Sequence, residues 1–176
     1  LSVGSHVAGF AGTGGFGTHT VAPAAMLMPL PPAFSFADAA AFLCTYGTTY
    51  HALMDRAALK AGETVLVLGA AGGVGTAAIQ IAKAAGAKVI AAASTDDKCA
   101  LCKELGADAT INYTTQNLRD ELKSITEGKG PDVVYDPVGG DLTEAAFRSI
   151  AWRGRHLVVG FANGTILALP LNLALL

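Results

Sequence analysis

Residues 64–76 read TVLVLGAAGGVGT, and this string leaves few folds open. The run Thr64–Leu68 has the length and apolar content of a buried strand, and a helical pattern, TAAIQIAKAA, follows the glycines. Glycines at such a junction permit a tight turn, let a pyrophosphate approach the backbone, and let helix and strand pack closely. An anion there meets free N–H groups and the positive end of the helix dipole, with no cationic side chain required. A glycine turn alone is equally compatible with tight packing and no ligand, so its place in the chain matters. After Gly62 the sequence alternates TVLVLG, TAAIQIAKAA, KVIAAA, DDKCALCKEL, ATINY, NLRDELKSIT, DVVYD, LTEAAFRSI and HLVVGF. The strand segments lack in–out alternation, as parallel strands covered by helices on both faces do. The expected fold is therefore α/β, a doubly wound parallel Rossmann sheet with the glycine turn after its first strand.

Composition removes other classes. Apolar residues make up 52% and charged residues 15%, against about 25% charged in ordinary soluble domains, which excludes disorder. A formal net charge of -2 without a basic cluster gives nucleic acid no electrostatic footing. Residues 64–82 and 157–176 carry no charge and so imitate membrane spans in length. The glycines at 69–75, and Gly160, Gly164 and Pro170, instead split them into strand, turn and helix. No membrane association is expected. The three cysteines, Cys44, Cys99 and Cys102, fit a reducing, cytoplasmic setting better than a disulfide scaffold.

Upstream, residues 1–34 are rich in glycine and proline, with strand-like pieces at His6–Phe10 and Phe16–Ala22. From Ser35 a helix is expected, with Ser35 as N-cap, Asp38 in the first turn, an interruption at Gly47 and a stop at Gly62. A dinucleotide fold of strand order 3-2-1-4-5-6 has six strands, and HLVVGF is the fifth candidate. The chain is therefore expected to be a piece of a longer protein, with residues 1–34 the end of a preceding domain and 35–176 a dinucleotide-binding domain.

Cofactor choice is written after the second strand. NAD-binding folds place an acidic residue there for the ribose hydroxyls, about 20 residues beyond the glycines. This chain has Ala93 and Ser94, followed by Thr95, Asp96, Asp97 and Lys98. A hydroxyl pair with an ammonium suits a ribose 2′-phosphate and points to NADPH; Lys98 as a solvated helix residue is the other reading. A P-loop is excluded because Gly75 is followed by Thr76, Ala77 and Ala78, without the lysine.

GETVLVLGAAGGVGTAAIQIAKAAGAKVI, ELGADATINY, PDVVYDPVGG and GRHLVVGFANG resemble, in order and spacing, the medium-chain dehydrogenase/reductase superfamily, in particular its zinc-independent quinone oxidoreductase branch. GTGGFGTHTVAPAAMLMPLP resembles the end of that family's GroES-like catalytic domain, and LCTYGTTYHAL the helix that enters the cofactor domain. The resemblance implies Thr48 near the nicotinamide, Gly72, Gly73 and Val74 at the pyrophosphate, and Ser94, Lys98 and Tyr113 around the 2′-phosphate. It also implies Val138 at the adenosine and Phe161 with Ala162 at the nicotinamide ribose. Tyr113 as a strand-end surface aromatic and Phe161 as a core residue are the structural alternatives. The implied activity is hydride transfer from NADPH to a quinone or an activated alkene or carbonyl, on a small-molecule substrate, in a full-length homodimer. No catalytic acid or base is assigned.

Other constellations are weaker. Cys99 and Cys102 form C-x-x-C without further ligands nearby, so no metal site is expected. Cys44 stands where zinc-dependent relatives carry a ligand, which keeps a zinc-dependent alcohol dehydrogenase as an alternative; a core cysteine is the plainer reading. A non-catalytic NADPH-binding or sensing protein is a third. His51 is a proton-donor candidate or a helix-face histidine, and Asp132 and Asp136 flank the fourth strand as structural or ribose-side residues.

Overall fold

Strand β3, Thr64–Leu68, shows why the sheet is sandwiched: Val65, Leu66, Val67 and Leu68 are all fully buried. Val65 and Val67 join one apolar cluster, Leu66 and Leu68 the other. Strands β4 (Lys88–Ala93) and β6 (Val133–Asp136) divide in the same way, with Val89, Ala91, Val133 and Tyr135 on the first side and Ile90, Ala92 and Val134 on the second. A strand buried on both sides needs apolar residues at successive positions, which is the absence of alternation seen in the sequence. The computed structural model describes residues 1–174.

Five strands form one wholly parallel sheet in the order β5-β4-β3-β6-β7, with β5 at Ala109–Asn112 and β7 at Arg155–Val158. Helix α2 (Gly73–Ala84) buries Ala78, Ile79 and Ala82 on the first face, where Cys102 of α3 (Asp96–Glu104) joins it. Helices α4 (Leu118–Ile125) and α5 (Asp141–Phe147) cover the second with Leu118, Leu122 and Ala146. The chain winds outward from β3 in both directions, so β3 and β6 are neighbours whose connections leave toward opposite edges. This is the doubly wound arrangement expected, and ligands in such folds bind at the crevice beyond that junction. Below the sheet, Arg155 grips both carboxylate oxygens of Glu63 at 2.7 and 2.9 Å and donates Nε to the Ala57 carbonyl. That fork holds the Glu63 carboxyl below the usual range and raises the Arg155 guanidinium.

The chain separates into two compact units, Leu1–Gly47 and Thr48–Leu176. In the first, β1 (Val7–Gly9) pairs antiparallel with β2 (Leu27–Pro29), after a 3₁₀ turn at Ala24–Met26. Gly9 is required there, since a Cβ would fall 2.3 Å from the Met26 carbonyl oxygen. The strand expected over Phe16–Ala22 does not form; that segment is mostly exposed irregular backbone, and the partner strand begins at Leu27. Ser35 caps α1 (Phe36–Tyr50) as expected, its hydroxyl accepting from Asp38 N and donating to the Asp38 carboxylate at 2.7 Å.

The interruption expected at Gly47 is absent. Helix α1 runs through it, because one glycine costs a helix only about 1 kcal/mol and this one lies on an exposed face. The break comes at His51–Arg56, where the helix widens into a π turn before Ala58 takes a positive φ of 48°.

Candidate functional site at the glycine turn

Gly69 leaves β3 with a φ of 58°, a left-handed conformation that glycine adopts without strain. Ala70 N donates to the Ala92 carbonyl at 3.0 Å and Gly72 N to the Gly69 carbonyl at 2.9 Å, folding the turn back onto β4. The N-cap of α2 is Gly72, and no side chain closes the helix end. Gly75 lets the helix settle on the strand: a Cβ would stand 2.6 Å from Gly69 O and 2.7 Å from Ala70 Cα. The backbone amides at Gly73 and Val74 therefore open a helix whose start is bare main chain, the arrangement that attracts a phosphate.

Across the β3–β6 junction stands Val138, so close that a Cβ on Gly69 would meet its Cγ2 at 2.8 Å. Asp136, 1% exposed, sets this loop. Its Oδ1 accepts from Val138 N at 2.9 Å and Gly139 N at 3.0 Å, and its Oδ2 accepts from Thr143 Oγ1 and lies 3.3 Å from His156 Nε2. Burial pushes the Asp136 carboxyl up, but these four donors outweigh it and hold it down at about 2. Ala162 N donates to the Pro137 carbonyl and Asn163 N to the Val138 carbonyl, so the loop after β7 is stitched to the loop after β6. Phe161 is 42% exposed and 3.1 Å from where a Gly139 Cβ would be, which rules out the core-residue reading. Six of the expected residues, Gly72, Gly73, Val74, Val138, Phe161 and Ala162, thus lie in the loops and the helix start that follow β3, β6 and β7 at one end of the sheet.

A second group lies at the ends of β4 and β5. Lys98 Nζ donates to Ser94 Oγ at 3.1 Å, and Thr95 caps α3 by accepting from Lys98 N. Tyr113 N donates to the Ala93 carbonyl and Thr114 Oγ1 to the Ser94 carbonyl, bringing Ser94, Lys98 and Tyr113 to adjoining strand ends. The Tyr113 side chain is half-buried against the second apolar cluster rather than free on the surface.

Thr48 is exposed near the end of α1, while Thr49 beside it is fully buried. The Thr49 and Tyr135 hydroxyls lie 2.9 Å apart, and Thr49 Oγ1 is 3.4 Å from the Val74 carbonyl it donates to. Burial raises the Tyr135 phenol, and the Thr49 hydrogen bond opposes that only partly. This tie from helix to strand to glycine turn was missed in the sequence, where its partners are 25 and 86 residues apart. The Asp136–His156 pair was missed as well; adjacency of the fourth and fifth strands was the available signal.

The sequence model of a family described as zinc-binding dehydrogenase matches residues 73–176. The chain belongs to that family. Within the medium-chain dehydrogenase/reductase superfamily its relatives place it in the quinone oxidoreductase-like branch. It is 42% identical over 177 residues to a quinone oxidoreductase-like protein 2 homolog of Nematostella vectensis, covering 99% of this chain and 48% of the relative. It is 42% identical over 174 residues to quinone oxidoreductase-like protein 2 of Bos taurus, covering 98% of this chain and 50% of the relative. The Pseudomonas syringae quinone oxidoreductase superposes with a TM-score of 0.85 at 35% identity, over 99% of this chain and 54% of that one. The Escherichia coli quinone oxidoreductase complexed with NADPH gives 0.81 at 38% identity, over 88% and 47%. The chain spans about half the length of the curated relatives it matches.

The described residues contain no convergent group of three His, Cys, Asp or Glu side chains. They do not compose a zinc site. Cys44 is exposed rather than in the core, and Cys99 and Cys102 are buried, with burial raising both thiols, Cys102 to about 11. His51 Nδ1 lies 2.8 Å from Asp55 one turn along, both exposed. No helix among the described residues is long and apolar enough to cross a membrane.

Proposed function

We propose that the chain is the NADPH-binding portion of an oxidoreductase that delivers hydride to a quinone or to an activated alkene or carbonyl. We assign residues 1–34 to the end of a GroES-like catalytic domain and 35–176 to the cofactor domain, in a protein that is a homodimer at full length and acts in the cytoplasm. The single observation that carries the cofactor choice is the end of β4: Ser94 and Lys98, joined at 3.1 Å, stand where an NAD-binding fold would place a carboxylate. NADPH supplies the hydride when bound. The amides at Gly73 and Val74, with Gly72 as the N-cap beside them, hold its pyrophosphate, and the bare helix end attracts the charge without a side chain. Ser94, Lys98 and Tyr113 take the 2′-phosphate, Val138 borders the adenosine, and Phe161 and Ala162 with Thr48 hold the nicotinamide end. Positioning of the nicotinamide and exclusion of water from it are the protein's share of the chemistry. The quinone oxidoreductase names of the relatives and the NADPH complex of one structural neighbour support this reading.

Calorimetric titration of the chain with NADPH and NADH tests it. NADPH should bind the more tightly, and Lys98→Ala should weaken NADPH about ten- to a hundredfold, from loss of one charge-assisted contact, while leaving NADH within twofold. Equal or tighter binding of NADH by the wild-type chain overturns the assignment.

A further inference from the structure

Two acidic residues, Asp96 and Asp97, stand in the first turn of α3 beside Lys98, next to a subsite read as one for a phosphate dianion. Uncompensated carboxylates there would repel the ligand that Lys98 attracts. Asp96 is exposed, yet its carboxylate is not free: Asn112 Nδ2 donates to Asp96 Oδ1 at 2.7 Å. Asn112 is 6% exposed at the end of β5, and the rest of its polar groups are also committed. Its Oδ1 accepts from Thr114 N at 3.1 Å, its backbone N donates to Gln116 Oε1 at 2.8 Å, and its carbonyl accepts from Gln116 N at 2.9 Å. The Thr114 amide fixes which way the Asn112 side chain points, since only the oxygen can accept that hydrogen. The amide nitrogen is thereby aimed at Asp96. In the same turn Thr114 Oγ1 donates to the Ser94 carbonyl at 2.8 Å, tying the turn to the residue that holds Lys98.

We infer that Asn112 is a specificity-determining positioning residue: by holding the Asp96 carboxylate against the end of β5, it keeps the Ser94–Lys98–Tyr113 subsite open to a phosphomonoester dianion. The inference rests on the reading of that subsite given under Proposed function. Asn112 itself touches no ligand. Its effect is to keep an acidic side chain from the cation, so it acts on the cofactor bearing the extra phosphate and not on the one without it.

The test exchanges the two partners. Asn112→Asp retains the oxygen that accepts from Thr114 N but sets two carboxylates against each other at a 2.7 Å contact, driving Asp96 toward solvent and Lys98. Titrated by calorimetry, this variant should raise the Kd for NADPH about tenfold and leave that for NADH within twofold. Adding Asp96→Asn restores a donor–acceptor pair with its polarity reversed, and should return NADPH binding to within about threefold of wild type. NADH affinity reports whether either variant still folds. Should Asn112→Asp fail to fold, Asp96→Asn alone decides: it should keep or increase the preference for NADPH, and a reduced preference overturns the inference. Parallel weakening of both cofactors by Asn112→Asp marks a merely structural role and overturns it, as does undiminished NADPH binding or failure of the exchange to restore it. A wild-type chain that binds NADH as tightly as NADPH instead refutes the subsite reading beneath, and is seen before any variant is made.

Discussion

Replacing Asp136 with Asn removes the charge that organises the loop facing the glycine turn, while leaving shape and one acceptor oxygen in place. The size of the effect follows from the carboxyl's own titration. Held at about 2 against an ordinary 3.8, the ionised form is favoured in the folded state by nearly two units, each worth roughly 1.4 kcal/mol. The variant should therefore lose about 2 kcal/mol at neutral pH, a fall in Tm of about 4–8 °C for a chain of this length. The sign with pH is fixed. A carboxyl whose folded value is depressed stabilises above its unfolded value, and that contribution disappears as pH falls from about 4 toward 2. Urea unfolding followed by far-ultraviolet circular dichroism at pH 7, 4 and 2.5 measures the gap between wild type and variant. It should be full at pH 7 and most of the way closed at pH 2.5. A gap of constant size across that range would refute the reasoning, since a loss that does not follow the carboxyl's titration does not come from its charge.

Gly75→Ala should cost about 1–3 kcal/mol in the same urea assay and weaken NADPH at least tenfold, because the added Cβ meets main chain at Gly69 and Ala70 that has no rotamer to yield. Gly47→Ala is its control: a Cβ there meets nothing within 4 Å, so the helix should gain about 0.5–1 kcal/mol. Of the three thiols, Cys44 alone should react promptly with a disulfide reagent under native conditions, and Cys99 and Cys102 only after denaturant is added; prompt reaction of two or three would contradict the burial of α3's inner face.

The three central strands, β3, β4 and β6, were legible because each is buried on both sides, and such a strand can be written only one way. Val65 through Leu68 had to be apolar at every position, whatever they pack against. The glycine turn was legible for a related reason, since Gly69 and Gly75 answer to backbone geometry that no larger residue meets. Where several residues would serve, the local sequence does not decide the structure. Gly47 looked like a helix break but costs too little to be one, and the actual departure at His51–Arg56 has no glycine or proline to announce it. Leu27–Pro29 pairs with β1 in place of Phe16–Ala22 because a partner is selected by the three-dimensional return of the chain, and that information is not local.

The candidate site divides along the same line, and the division bears on how it works. Residues expected to touch ligand are at loop ends, where glycine content and an absent carboxylate leave a trace in the sequence. Residues that hold those loops are ordinary polar side chains whose partners are remote in sequence: Asp136 reaches His156 on the neighbouring strand, Thr49 reaches Tyr135 and Val74, and Asn112 reaches Asp96. Asp136, Thr49 and Asn112 are each buried, where a lost hydrogen-bond partner costs far more than on the surface. A loop built largely of glycine has little side-chain packing of its own with which to keep its shape. Its rigidity has to be imported, and in this chain buried hydrogen bonds from β5, β6 and α1 supply it. Substitutions at these supporting positions should therefore alter cofactor affinity without altering any atom that the cofactor touches.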